Sequence, residues 1–316
     1  MIDAFAHFYP PAYMRRVQAL CKPLPVFVND APSHVDAAFR ITELDRLQID
    51  AQVVALGTPS FDELFAPEQG KEASELARLG NDGIADLVAR YPRRFIGAAT
   101  LPLCGPGALA MAPAELERVV TELDFKAVQI YTRVGDTPLD DSRFDALWKQ
   151  IAAYDIPILL HPTGGFDHRF AGDYMLWLTF GWPLETSLVM TRLVYAGLFA
   201  RFPGLKILTH HLGAFIPFMA ARIQGVHYTL ERTQGVKLET PLLESLRGFY
   251  GDTAVNGFQP ALNAGYEFFG ADHILFGTDY PFVPLASQCD AVLRWELPAD
   301  DKAKILDANA RKLFRM

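Results

Sequence analysis

Short apolar runs recur along the whole chain and predict β-strands. Most of the eight runs are four to six residues long. Several lack a regular alternation of apolar and polar residues, which is typical of strands that are buried on both faces. The predicted strands are Ile2–Ala6, Ala51–Leu56, Phe95–Thr100, Lys126–Ile130, Ile156–Leu160, Leu205–Thr209, Gly248–Asp252 and Ile274–Gly277.

Helical patterns lie between these runs. Ala38, Ile41 and Leu44, for example, recur at spacings of three, which places them on one face of a helix. The predicted helices are Val35–Gln48, Glu72–Tyr91, Pro113–Leu123, Ser142–Tyr154, Glu185–Phe202, Ile216–Glu231 and Asp300–Leu313. A chain that alternates strands and helices in this way forms a parallel sheet with crossover helices.

Eight strands are the number that a (β/α)₈ barrel needs. The competing architecture, a doubly wound open sheet, usually carries a glycine-rich phosphate-binding turn after its first strand. Here the first strand is followed by His7-Phe8-Tyr9-Pro10, so the barrel is favoured. We predict one (β/α)₈ domain over residues 1–316, with long loops after the strands, mainly around residues 8–34 and 162–184.

Composition and charge narrow the class of protein. Half of the 316 residues are hydrophobic, which excludes a disordered chain. The net charge of −8 argues against a general partner of nucleic acids or of membrane surfaces. The three cysteines are far apart and odd in number, which fits a reducing compartment. With no signal peptide or membrane-spanning segment in the pattern, we expect a cytoplasmic protein.

Candidate metal ligands follow four of the predicted strands. His7, His161, the pair His210-His211, and Asp279 stand at or just after strand ends, and in a barrel these ends meet at one mouth. Imidazole and carboxylate are the usual ligands of catalytic zinc and also suit manganese or iron. Consecutive strand residues face opposite sides, so only one of the two adjacent histidines should point into the mouth, and spacing alone does not decide which. The other histidines are interpreted as structural or solvated: His34, His168, His227 and His273.

Several longer segments resemble one known family. The chain resembles the amidohydrolase superfamily, in the branch that contains 2-amino-3-carboxymuconate 6-semialdehyde decarboxylase and γ-resorcylate decarboxylase. The resemblance extends from residue 1 to about residue 315. The segments that carry it are Tyr91-Pro92-Arg93-Arg94-Phe95, Val128-Gln129-Ile130, Leu160-His161-Pro162, Phe202-Pro203-Gly204-Leu205-Lys206, His211-Leu212-Gly213 with Ile216-Pro217-Phe218, Arg222-Ile223, and Gly277-Thr278-Asp279-Tyr280-Pro281-Phe282.

The resemblance implies a distorted (β/α)₈ barrel with one divalent metal ion, zinc in the first place and manganese as the alternative, and no organic cofactor. It implies that His7, His161 and Asp279 bind the metal. His211 matches the family histidine that orients or deprotonates metal-bound water, so the resemblance selects it over His210. Arg222 matches an arginine that reaches across a dimer interface to the neighbour's substrate carboxylate, which implies a homodimer or a dimer-based oligomer.

The first strand departs from the family pattern. The family carries His-x-His or Glu-x-His there, whereas this chain reads Phe5-Ala6-His7. Phe5 cannot coordinate a metal, and Asp3 lies about 7 Å further down the barrel by strand rise, where it is interpreted as structural. Three ligands and a water still form a sufficient catalytic zinc site. A second arginine, which the semialdehyde decarboxylase supplies from the loop before its first helix, has no match in residues 20–38.

The leading functional hypothesis is a metal-dependent, cofactor-free decarboxylase of a small unsaturated or aromatic carboxylic acid. His211 and Asp279 are the candidate catalytic residues, and Arg222 is the candidate carboxylate anchor. Tyr131 and Phe282 are expected either to line the pocket or to pack within loops. The first alternative is a hydrolase or hydratase that uses metal-bound water. The second, which Phe5 motivates, is a metal-free or degenerate binding protein.

Overall fold

Eight parallel strands form the centre of the fold in a computed structural model, which describes residues 1–21, 24–25, 27–164 and 173–316. The strands follow one another around the sheet in chain order, and every neighbouring pair is parallel. They are β1 Ile2–His7, β2 Ala51–Ala55, β3 Phe95–Thr100, β4 Ala127–Tyr131, β5 Ile158–His161, β6 Ile207–Thr209, β7 Tyr250–Asp252 and β8 Ile274–Leu275. A small antiparallel ribbon follows β4 and pairs Arg133–Val134 with Thr137–Pro138.

Backbone hydrogen bonds between β1 and the residues directly after β8 close the barrel. The amide of Ala4 donates to the carbonyl of Phe276 at 2.8 Å, and the amide of Asp279 donates to the carbonyl of Phe5 at 3.0 Å. The amide of His7 donates to the carbonyl of Tyr280 at 2.7 Å. The predicted (β/α)₈ barrel is therefore confirmed. The same bonds place the end of β1 beside the segment that follows β8.

Helices surround the barrel. They are α1 Pro11–Leu20, α2 Pro32–Val35, α3 Ala37–Arg46, α4 Phe61–Leu64, α5 Gly70–Arg90, α6 Gly105–Thr121, α7 Asp145–Tyr154, α8 Trp182–Tyr195, α9 Leu198–Arg201, α10 Ile216–Gln234, α11 Leu242–Arg247, α12 Gln259–Phe269, α13 Leu285–Arg294, α14 Ala299–Ala303 and α15 Asn309–Phe314. Two π-helical turns, Trp177–Gly181 and Lys304–Ala308, lie before α8 and between α14 and α15. Short 3₁₀ turns are Ser142–Phe144, Asp173–Met175, His210–Gly213 and Ala271–His273. No helix among these described residues is long and apolar enough to cross a bilayer.

The largest differences from the predicted helix bounds concern two helices. The helix predicted to begin at Pro113 begins at Gly105, so that Pro113 lies inside α6. The helix predicted over Glu185–Phe202 is interrupted after α8, because Gly197 adopts a left-handed conformation with φ of 67° and starts the separate helix α9. Pro113 thus lies inside a helix, and Gly197 breaks one. The apolar pattern is continuous at both positions and does not show either feature.

The two predicted long loops contain helical structure. Residues 8–34 include α1 and most of α2. Residues 165–172, including His168, lie outside the described part of the chain. His34 and His273 contact the backbone carbonyls of Phe27 and Phe249.

Apolar side chains fill the lower part of the barrel. Alternate residues of β2 (Ala51, Val53 and Ala55) belong to the same buried cluster as Leu159, Leu208 and Leu275 of three other strands. Phe5 belongs to this cluster and is fully buried. Because the interior is packed, polar side chains can meet a ligand only at the carboxyl ends of the strands.

Candidate metal centre

Four ligand-type side chains converge at the carboxyl-terminal mouth of the barrel. They are His7 at the end of β1, His161 at the end of β5, His210 just after β6, and Asp279 after β8. One ligand atom from each lies within 4.8 Å of the others, and all four residues are buried. Two ligands on opposite sides of one ion are about 4.2 Å apart when each bond is about 2.1 Å long. The cluster is therefore close to the size that one metal ion requires.

Hydrogen bonds on the far side of two of the imidazole rings orient them toward the centre. Nδ1 of His161 lies 2.6 Å from the carbonyl oxygen of Pro162, so this nitrogen is the donor and Nε2 carries the lone pair. Nδ1 of His210 is bonded in the same way to Oδ2 of Asp252. Rings held through one nitrogen, with the other directed at a shared point, are typical of metal-binding histidines.

The Nε2 atoms of His7, His161 and His210 are buried, and none makes a hydrogen bond of good geometry within the described residues. The carboxylate of Asp279 is near two of them: its Oδ1 lies 3.3 Å from Nε2 of His7 and 3.1 Å from Nε2 of His210. Buried nitrogen atoms without a good partner are costly, and a metal ion would satisfy all three together. The donor set of three imidazoles and one carboxylate therefore fits a divalent metal.

Two members of the cluster are neutral, whereas His210 and Asp279 are held in their charged forms. Burial lowers the pKa of His7 and lowers that of His161 well below its usual value, so both rings are neutral. Burial also acts to lower the pKa of His210, but the charges and hydrogen bonds of Asp252 and Asp279 outweigh it and bring this pKa to about 10. Burial acts to raise the pKa of Asp279, and interactions with the neighbouring histidines, His210 foremost, hold it well below the usual value. Metal binding here would displace a proton from His210.

The expectation that only one of the adjacent histidines reaches the mouth is wrong. β6 ends at Thr209, and His211 has a left-handed backbone with φ of 56° and ψ of 39°. Strand alternation therefore no longer applies, and both rings approach Asp279. Nε2 of His211 lies 3.9 Å from Oδ2 of this carboxylate, and the His211 side chain remains 21% exposed. His210 is thus a member of the cluster that the family resemblance passed over.

Phe5 packs directly against the cluster. Its ring centroid lies 4.3 Å from that of His210, 5.5 Å from that of His7 and 6.0 Å from that of His161. The departure of β1 from the family pattern therefore places an aromatic floor in contact with the imidazole groups.

A cavity of about 510 Å³ opens beside the cluster. Its polar lining includes His211, Asp279 and Asn256, and its aromatic lining consists of Phe27, Trp182 and Phe282. Phe282 was a candidate on sequence grounds. Phe27 and Trp182 were not, because they come from a loop and from the start of a helix rather than from a strand end.

The two other candidates, Tyr131 and Arg222, do not line this cavity. Tyr131 packs on His161, with ring centroids 5.5 Å apart, and its hydroxyl donates to the carbonyl of Gly57 at 3.1 Å. Tyr131 is not among the residues that line the cavity. Arg222 lies on the exposed side of α10, beside an apolar groove formed with α8. Within one chain, the structure does not bring Arg222 to the metal cluster.

Comparison with known proteins relates this geometry to a family. The profile of the amidohydrolase family matches residues 2–316. A γ-resorcylate decarboxylase from a Polaromonas species is 31% identical, over 88% of this chain and 86% of the relative. The 6-methylsalicylic acid decarboxylase of Penicillium expansum is 30% identical, over 99% of this chain and 95% of the relative.

Solved structures agree. The 5-carboxyvanillate decarboxylase of Sphingomonas paucimobilis superposes with a TM-score of 0.88 at 28% identity, covering 100% of this chain and 99% of that one. A dihydroxybenzoic acid decarboxylase from Polaromonas, solved with bound manganese and the inhibitor 2-nitroresorcinol, gives a TM-score of 0.86 at 27% identity, covering 99% and 96%. This chain belongs to the amidohydrolase family, in the branch that its sequence motifs predict.

Proposed function

We propose that this protein is a metal-dependent decarboxylase that acts on a small aromatic carboxylic acid without an organic cofactor. The observation that carries the proposal is the cluster of buried imidazoles and one carboxylate, Asp279, which borders a cavity with aromatic walls. Relatives that match nearly the whole chain are decarboxylases of aromatic acids. An aromatic ring would pack against Phe27, Trp182 and Phe282 and direct its polar substituents to the cluster.

His7, His161 and Asp279 would hold the metal. Their nitrogen and oxygen donors suit manganese as well as zinc, and a structural neighbour contains manganese. A divalent ion held by these residues would supply Lewis acidity toward the oxygen atoms of the substrate. The rest of the work falls to protein side chains.

Those side chains must deliver one proton to the substrate. When the bond to the carboxyl carbon breaks, its electron pair remains on the ring carbon, which takes up a proton as CO₂ leaves. His211 is partly exposed and lies 3.9 Å from the Asp279 carboxylate, so it can pass a proton from solvent toward the reacting carbon. Asp279 borders the cavity and is the second group that can carry this proton.

The second part of the proposal concerns assembly. Four large apolar side chains on α8 and α10 are exposed: Leu188, Phe218, Val226 and Tyr228. Leu188 and Val226 line the groove that Arg222 also borders. Phe218 is 86% exposed, which is unusual for so large a ring. We propose that this surface binds a second copy of the chain and that Arg222 then acts on the substrate carboxylate in the neighbouring subunit. Light scattering should show a dimer or a multiple of it, and a monomer at micromolar concentration would contradict this part.

The reaction is tested with purified protein loaded with Mn²⁺ and a panel of hydroxybenzoic acids. CO₂ release without an organic cofactor is expected, and the His161→Ala protein should release none. Products heavier by one water would indicate a hydrolase or hydratase instead. A wild-type protein that binds no divalent metal and turns over no substrate would support a degenerate binding protein.

A further inference from the structure

The metal cluster contains four ligand groups, although the first strand supplies only one of them. β1 contributes only His7, because Phe5 stands where the family pattern has a second ligand. The structure nevertheless gathers four ligand groups at the centre. We propose that His210, from the end of β6, replaces the missing β1 ligand and completes the metal site; this inference rests on the proposed metal-dependent function.

Geometry places His210 on an equal footing with the expected ligands. Its Nε2 lies 3.1 Å from Oδ1 of Asp279, slightly closer than Nε2 of His7 at 3.3 Å. The ring is fully buried, and its centroid lies 5.3 Å from that of His161 and 6.1 Å from that of His7. His211, by contrast, is partly exposed and lies at the cavity side of Asp279.

The contact with Phe5 explains how a phenylalanine on β1 and a histidine ligand after β6 can be packed together. The Phe5 and His210 rings are in direct contact, with centroids 4.3 Å apart. Phe5 fills volume at the floor and supports the His210 ring from one side. A phenyl ring on β1 and an imidazole after β6 therefore fit together at this floor, and His210 supplies a ligand group where Phe5 offers none.

Asp252, the last residue of β7, is the positioning residue for this ligand. Its Oδ2 accepts from Nδ1 of His210, which leaves the lone pair on Nε2. Its Oδ1 accepts from the backbone amides of His211 and Ala254, both at 3.0 Å. The carboxylate is thus held in place by the backbone and fixes the His210 tautomer that can bind metal.

The competing interpretation is that His210 is a permanently charged group that bridges Asp252 and Asp279. Under that interpretation a metal would use three protein ligands, and removal of His210 would leave metal affinity nearly unchanged. The two interpretations therefore differ in metal binding itself, independently of catalysis.

The experiment is a titration with Mn²⁺, with the free ion measured by electron paramagnetic resonance. We expect His210→Ala to weaken Mn²⁺ binding about 100-fold or more, as His161→Ala should. His211→Ala is the matched control, since it removes the adjacent imidazole, and it should bind Mn²⁺ within about threefold of wild type. Phe5→His combined with His210→Ala returns the ligand to β1 and should recover at least about tenfold of the lost affinity.

A second measurement needs no variant and covers the case in which His210→Ala fails to fold. In the Co²⁺-loaded wild-type protein, each imidazole bound through Nε2 contributes one solvent-exchangeable, hyperfine-shifted Nδ1–H signal in the proton NMR spectrum. Three such signals are expected if His210 binds, and two would overturn the proposal. Wild-type affinity in a folded His210→Ala protein, or no metal binding by the wild type, would overturn it as well. Metal binding through His210 without CO₂ release would instead refute the decarboxylase function and leave this inference standing.

Discussion

Replacement of Asp252 by asparagine tests how the protein selects the tautomer of His210. Two backbone amides donate to Oδ1 of Asp252, so the amide oxygen of an asparagine must remain on that side. Its NH₂ group then faces Nδ1 of His210, where Oδ2 stood. Nδ1 must become the acceptor, and the proton moves to Nε2, which can then no longer bind a metal.

The structure sets the size of the effect. His210 could keep its metal-binding tautomer only if the asparagine rotated its amide group. That rotation would break two hydrogen bonds of 3.0 Å to backbone donors. At about 1 kcal/mol for each bond, this rotation costs about 2 kcal/mol. That free energy corresponds to a weakening of metal binding by about 30-fold, within the range of about 10- to 100-fold that is typical for partners of metal-binding histidines.

The assay is again a Mn²⁺ titration, run beside a thermal melt. Glu115→Gln is a suitable control, because Glu115 is also a buried carboxylate, bonded to Asn81 and Arg118 on α5 and α6 rather than to a site histidine. The control should lose stability but keep its Mn²⁺ affinity. If Asp252→Asn bound Mn²⁺ as tightly as the wild type, the argument that Asp252 determines the His210 tautomer would be refuted.

Three further predictions concern the expected ligands, the proposed anchor and the metal. His161→Ala and Asp279→Ala should each reduce CO₂ release at least about 1000-fold with the circular dichroism spectrum unchanged; normal turnover in either would exclude the site. Arg222→Ala should raise KM for the carboxylate about tenfold with little change in kcat, because it removes a charge-assisted bond to the substrate, and an unchanged KM would exclude that role. Removal of metal by a chelator should lower Tm by about 5 °C, since saturation at 100 times Kd contributes about 2.7 kcal/mol to the folded state. Added Mn²⁺ should restore Tm. A Tm that changes with neither the chelator nor Mn²⁺ would count against a bound metal.

Part of the cluster could be predicted from the sequence because it obeys a simple topological rule. His7 and His161 end their strands and Asp279 follows β8, and parallel strands bring such ends to one mouth. The closing hydrogen bonds between β1 and the segment after β8 then place His7 beside Asp279. The topological rule alone thus brings these three residues to one mouth, and the structure adds the pairing of His7 with Asp279.

His210 required information that periodicity does not contain. The alternation of side chains is valid only within a strand, and β6 ends one residue before His210. The next residue, His211, adopts a left-handed conformation that non-glycine residues seldom take, so no propensity rule anticipates the turn. Adjacent histidines at a predicted strand end are the available signal, and they should both be retained as candidates.

The cavity walls were missed for a different reason. Phe27 reaches the site from the segment before α2 and Trp182 from the first position of α8, and both positions depend on how these parts of the chain fold over the barrel. The rings of Phe27 and Phe282 lie 5.5 Å apart at nearly a right angle, and Phe27 contacts Trp182 in a similar way. These contacts join distant parts of the chain, so they depend on tertiary packing rather than on local pattern.

The proposed use of His210 in place of a β1 ligand also bears on how a protein with a net charge of −8 would bind an anion. In a Glu-x-His site two carboxylates coordinate the ion, whereas the proposed set contains one carboxylate and three neutral imidazoles. A divalent ion bound to one carboxylate retains about one positive charge, and a second bound carboxylate would cancel it. The compensating charge of Asp252 lies beyond the His210 ring, where its repulsion of a substrate carboxylate at the metal is weaker because Coulomb energy falls with distance. If His210 is a ligand, the centre attracts an aromatic carboxylate more strongly than a Glu-x-His centre would, which offsets the unfavourable field of the whole protein.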